Sequence, residues 1–122
     1  MTDKLDLDGL QRLLWNFAGQ RVITVAGRTG ILGLLAQRPA NPDAVARELD
    51  LDPLATGKIV RALCAQGLLE TDGEGYRLVE TLRPFFIPGP GDFSAFLEHI
   101  HSMYERWGEN LEPWLRGEGW ST

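Results

Sequence analysis

Cysteine is almost missing from this chain. Cys64 stands alone among 122 residues, so no internal disulfide can form, and a protein of the reducing cytosol is the expectation. It falls inside an apolar helical pattern, where a small buried or half-buried side chain is expected. A reactive thiol would need an electropositive setting. Long apolar runs are missing too. None approaches the 18 residues that a membrane span requires. The opening residues 1–9 are polar and acidic, unlike a secretory signal. Histidine is scarce. His99 and His101 are two apart, so on a helix they point to different faces and cannot hold one ion together. No cysteine pair offers a zinc site. Gly73 and Gly75 lie in a hairpin pattern, not between a strand and a helix, so no phosphate loop is present. The residues thus present no catalytic, cofactor-binding or metal-binding set. Basic residues are outnumbered as well, 12 against 17 acidic ones, for a net charge of −5.

What is there is concentrated in residues 39–84. Asn41-Pro42 sets a capping side chain before a proline that suits a first helical turn. Val45 and Leu49 follow four apart, on one helical face. Asp52-Pro53 repeats the start signal. Thr56, Ile59, Val60 and Leu63 recur at helical spacing until Gly67, a residue free to take the left-handed conformation that ends a helix. Leu68, Leu69 and Thr71 then make a short extended run. Asp72-Gly73-Glu74-Gly75 is turn chemistry, and Tyr76 and Leu78 alternate with Arg77 on a return strand. Helix, turn, helix and hairpin is the order of a winged helix-turn-helix.

Such a shape can read DNA or join subunits. A DNA reader neutralises phosphates with Lys and Arg. Residues 39–84 carry five basic residues and eight acidic ones, a net −3. The face that would read DNA presents Lys58, Arg61, Ala62 and Ala65, and two cations with acidic neighbours argue for a solvated face. Nucleic acid is therefore not the expected partner.

Apolar helices flank this core. Residues 7–26 carry Leu7, Leu10, Leu13, Leu14, Phe17 and Val22 at helical period, and Ile31 to Leu35 continue as a short helix. Gly19, Gly27, Gly30 and Gly33 are costly there, each about 1 kcal/mol against alanine, and some of them mark a close approach or a break. After the Pro88-Gly89-Pro90-Gly91 loop, Asp92 is placed to cap a helix striped by Phe93, Phe96, Leu97, Ile100, Met103, Tyr104 and Trp107. Gly108 is expected to interrupt it. A last short helix would hold Leu111, Trp114 and Leu115, with Pro113 near its first turn. Five to seven helices and one two-stranded wing result. The terminal helices carry more apolar surface than so small a core can cover, which points to a partner, in the commonest case a second copy. Trp107, Tyr104 and Met103 read first as core. Trp15 could be core or, like Trp107, Trp114 and Trp120, an interface anchor.

Together these segments resemble one family. Gly30-Ile31-Leu32-Gly33-Leu34-Leu35-Ala36, then Pro42-Asp43-Ala44-Val45-Ala46-Arg47-Glu48-Leu49, and Ile59-Val60-Arg61-Ala62-Leu63 through Gly67-Leu68-Leu69-Glu70 are similar to segments of S-adenosylmethionine-dependent O-methyltransferases of the caffeate and polyketide-tailoring types. Gly75-Tyr76-Arg77-Leu78 resembles that family's wing, with Val79 where threonine is common. Trp107 through Gly117 resembles the segment that closes its N-terminal domain. The resemblance implies a mainly α winged helix-turn-helix whose extra N- and C-terminal helices form an intertwined homodimer. It implies an interface built on Leu10, Leu14, Phe17, Val22, Phe96 and Ile100, and His99, Met103 and Trp107 toward a small-molecule substrate. It further implies that residues 117–122 begin a linker to a catalytic domain. The chain would then be no enzyme on its own, and S-adenosylmethionine would bind only in that other domain. A winged-helix transcriptional regulator and a stand-alone ligand-binding module are the alternatives.

Overall fold

The computed structural model describes residues 4–120; the outermost residues of the expected linker, Ser121 and Thr122, lie outside that range, as do residues 1–3 of the acidic start. The elements run α1 (Leu7–Arg28), α2 (Ile31–Gln37), α3 (Pro42–Leu49), α4 (Pro53–Ala65), β1 (Leu69–Asp72), β2 (Gly75–Leu78), a 3-10 turn (Glu80–Leu82), the single turn α5 (Arg83–Phe86) and α6 (Ser94–Leu115). This is a winged helix with long helices added at both ends.

The local signals act as expected. Asn41 Oδ1 accepts from Ala44 N at 2.8 Å, and Asp52 Oδ2 from Ala55 N at 2.8 Å, each satisfying an N–H that a helix start would leave bare. Asp6 does the same for α1, accepting from Gly9 N at 2.7 Å. Gly67, at φ 90°, ends the α4 segment, and Leu68 N then donates back to Leu63 O at 3.0 Å. The wing pairs Leu69 with Leu78 and Thr71 with Tyr76, antiparallel.

The core sits under the wing. Leu32 and Leu35 of α2, Val45 of α3, and Val60 and Leu63 of α4 are fully buried, with Leu69 and Leu78 closing it from the strands. With Ala26 of α1, apolar residues from four helices and a hairpin share one interior, the arrangement that lets a short chain bury enough surface to fold. Cys64 is half-buried against this cluster.

The wing has a third member that its own sequence does not announce. Ala40, between α2 and α3, donates to Tyr76 O at 3.0 Å and accepts from Tyr76 N at 2.9 Å. The chain passes so close that a Cβ on Gly75 would lie 2.8 Å from the Ala40 carbonyl carbon and 2.9 Å from its oxygen. Both are backbone atoms and cannot swing aside. Gly75→Ala is therefore expected to lower stability by about 1–3 kcal/mol, the usual cost of overpacking. A thermal melt identical to that of the unaltered chain would refute this close approach.

Two expectations fail in α6. The helix runs unbroken from Ser94 to Leu115, through Gly108 and with Pro113 inside it. A glycine costs only about 1 kcal/mol in a helix. Pro113 falls in the last turn, where it removes a single ladder bond. Packing of α6 on α1 outweighs both. Asp92 lies one residue before the N-cap position, which Phe93 holds, and acts instead as a loop clasp: its carboxylate accepts from Ser94 N at 3.1 Å and from Gly89 N at 3.0 Å. These bonds, the Gly89 one first, hold its carboxyl below the usual aspartate range. A depressed native value gives stability that is full above the ordinary aspartate range, near pH 4, and is lost as pH falls through the lower native value. Asp92→Asn should therefore lower the melting temperature at pH 7, and the gap to the unaltered chain should narrow in acid. A gap that stays constant with pH would show that the carboxylate charge contributes nothing.

Candidate functional site: the groove between the terminal helices

α1 and α6 pack antiparallel. Gly27, near the end of α1, lies where any Cβ would strike the Leu97 side chain near the start of α6. This identifies it as a close-approach glycine. Gly30, at φ 95°, marks the break between α1 and α2. Arg28 Nε bonds Glu98 Oε1 at 2.8 Å beside that crossing. Phe93 fastens the start of α6 to α5, with its ring 5.1 Å from that of Phe85 and 6.1 Å from that of Phe86.

Away from the crossing the two helices frame a groove of about 470 Å³. Gln20, Arg21 and Thr24 form the α1 wall, and Ile100, Met103, Tyr104, Trp107, Gly108 and Leu111 form the α6 wall. The helical period puts the large apolar residues of α6 on one stripe, and that stripe faces the opening. Trp107 is 51% exposed and Tyr104 43%, so neither is the core residue that its spacing suggested. Trp15 is also exposed, at 70%. A helical period reports only that a face is apolar; whether the protomer itself covers that face depends on the other elements.

Arg21 is the one charged residue of the groove lining, and it is held from two sides. Its Nη1 approaches His101 Nδ1 at 2.5 Å, and its Nη2 lies 3.6 Å from Glu105 Oε1. His101 Nε2 lies 3.2 Å from the same Glu105 oxygen. The guanidinium also sits over the Tyr104 ring, 4.9 Å from its centroid. Sequence reading missed this cluster. The i,i+4 spacing of His101 and Glu105 is legible, but Arg21 joins them from 80 residues away.

The expected site residues divide. Leu10, Leu14, Phe17 and Phe96 are exposed, Ile100 is half-buried in the groove wall, and Val22 is turned against the protomer's own core. Val22 is partly buried there, on the side of α1 that packs against the winged core. Met103 and Trp107 share the groove, whereas His99 is exposed and lies off it. Lys58, Arg61 and Ala65 are exposed on α4, with Ala62 half-buried. Among the described residues no group of histidine, cysteine and carboxylate side chains is placed to hold a metal ion, and no helix is long and apolar enough to cross a membrane.

No family model matches the chain. O-demethylpuromycin-O-methyltransferase of Streptomyces alboniger is 30% identical over 104 residues, covering 75% of this chain and 28% of that protein. Among solved structures, PigF with SAH superposes with a TM-score of 0.84 at 24% identity, covering 95% of this chain and 39% of its own. An O-methyltransferase family protein from Burkholderia thailandensis superposes with a TM-score of 0.78 at 18% identity, covering 90% of this chain and 33% of its own. The chain spans about a third of the length of these three proteins.

Proposed function

We propose, from the fold that this chain shares with the N-terminal region of S-adenosylmethionine-dependent O-methyltransferases, that it is a homodimerisation module that also completes the substrate pocket of a small-molecule O-methyltransferase. The observation that carries this reading is the uncovered apolar surface on α1 and α6. Leu10, Leu14 and Phe17 of α1 are 43, 64 and 50% exposed, and Phe96 of α6 is 53% exposed. They continue the two walls of the groove. Contiguous exposed surface of this kind is the mark of an interface, and a second copy presents the same two helices in a self-complementary way. Met103 and Trp107 are the residues we assign to the substrate side.

The module is read as non-catalytic by itself. S-adenosylmethionine and the methyl-transfer chemistry would belong to another part of the enzyme, in keeping with the third of those enzymes' length that the chain spans. The test is its mass in solution. Light scattering behind a sizing column should give twice the 13.6 kDa of one chain at micromolar concentration. A clean monomer there would sink the reading. Salt-sensitive binding to random duplex DNA would instead favour a DNA-binding regulator, with Lys58 and Arg61 on its reading face.

A further inference from the structure

We propose that Arg21, His101 and Glu105 form an acid-released clasp that holds α6 against α1 and sets the width of the groove between them. This stands apart from the dimerisation reading, since it uses only contacts within one chain. It begins with the hydrogen-bonding capacity of each group. A guanidinium has donors and no acceptor. Arg21 Nη1 lies 2.5 Å from His101 Nδ1, so Nδ1 must accept, and it holds no proton. The ring proton is then on Nε2, which faces Glu105 Oε1 at 3.2 Å and donates to it. One neutral tautomer satisfies both neighbours, and the ring is only 14% exposed, so water cannot readily replace either.

A second proton on the ring reverses this. Nδ1 would then carry a hydrogen pointing at an Arg21 N–H, donor against donor and cation against cation. The His101–Glu105 contact would strengthen at the same time, but it lies within α6, at i,i+4. Acid therefore removes the Arg21–His101 bond between the helices and strengthens one inside a single helix, leaving Arg21 only its longer, 3.6 Å contact to Glu105 across the seam. The groups facing the ring are Arg21 from α1 and Glu105 from α6, with Tyr104 under the guanidinium. Among the described residues the other polar ties across this seam are Arg21 Nη2 to Glu105 Oε1 at 3.6 Å and Arg28–Glu98, and neither involves a histidine. Because Arg21 also lines the groove, its release changes the wall that a ligand or second copy would meet.

The tautomer can be read directly on the unaltered chain. Long-range proton–nitrogen NMR at pH 7.5 should show His101 with a bare Nδ1 and a protonated Nε2, with His99 as the solvent-exposed comparison. A protonated Nδ1 would overturn the proposal. Amide exchange in residues 100–104, corrected for intrinsic rates, should then accelerate roughly tenfold more between pH 7.5 and 5.5 than in His101→Asn, the change expected on losing one hydrogen bond to a charged group. Asparagine keeps an acceptor near the Nδ1 position but does not titrate. An unchanged acid response in that variant would also overturn the proposal. If the variant fails to fold, the tautomer measurement decides alone.

Discussion

Replacing Leu10 and Leu14 together with aspartate is expected to leave the chain folded and monomeric. Both side chains point away from the protomer, at 43 and 64% exposed, so the single chain loses little packing. In a dimer built on α1 and α6 the same positions are buried, and each substitution would put a carboxylate into an apolar seam. Isolated buried charge is expensive. Two central interface positions at about 2 kcal/mol or more each weaken association on the order of a thousandfold. Light scattering should then give the mass of one chain, against the expected two for the unaltered protein. Circular dichroism should show the same helix content. A variant that remains dimeric would place the interface elsewhere, and one that unfolds would show that α1 is needed for the protomer itself.

Leu63→Ala tests the opposite side of the molecule. Leu63 has no exposed surface and lies among Leu32, Leu35, Val45 and Val60. Removing its branch forfeits transfer energy and leaves a cavity that packed helices close only in part, for a cost of about 2–5 kcal/mol. Domains of this kind have about 5–15 kcal/mol in total. The midpoint of urea unfolding should fall sharply. If assembly and folding are coupled, the loss will also depend on protein concentration. A midpoint close to that of the unaltered chain would mean that the winged core is not the centre of stability.

All three substitutions replace a leucine, and only the structure separates their effects. Leu14 and Leu63 both sit in apolar stripes of helical period. The stripe on α4 is buried in the winged core, whereas the stripe on the first half of α1 stays largely exposed among the described residues. The same holds for Trp15 and Trp107, which a period alone could place in the core and which the structure leaves at the surface. His99 and His101 look alike in sequence too. The turn of α6 sends one to solvent and the other against Arg21.

Other features were legible because their causes are local. Asn41 and Asp52 cap the helices that follow them, since a side-chain oxygen three residues before a bare N–H can reach it in no other way. Gly67 and the turn at residues 72–75 end one element and begin another through their own backbone freedom. The winged-helix order and the acidic balance followed from composition and short-range spacing. Tertiary structure decided what depends on distant partners. It carried α6 through Gly108 and Pro113, added Ala40 to the wing, brought Leu97 against Gly27, and gathered Arg21, His101 and Glu105 between α1 and α6. Local chemistry sets where elements start and stop. Which face is covered, and by what, is set by the free energy of burial summed over elements far apart in the chain.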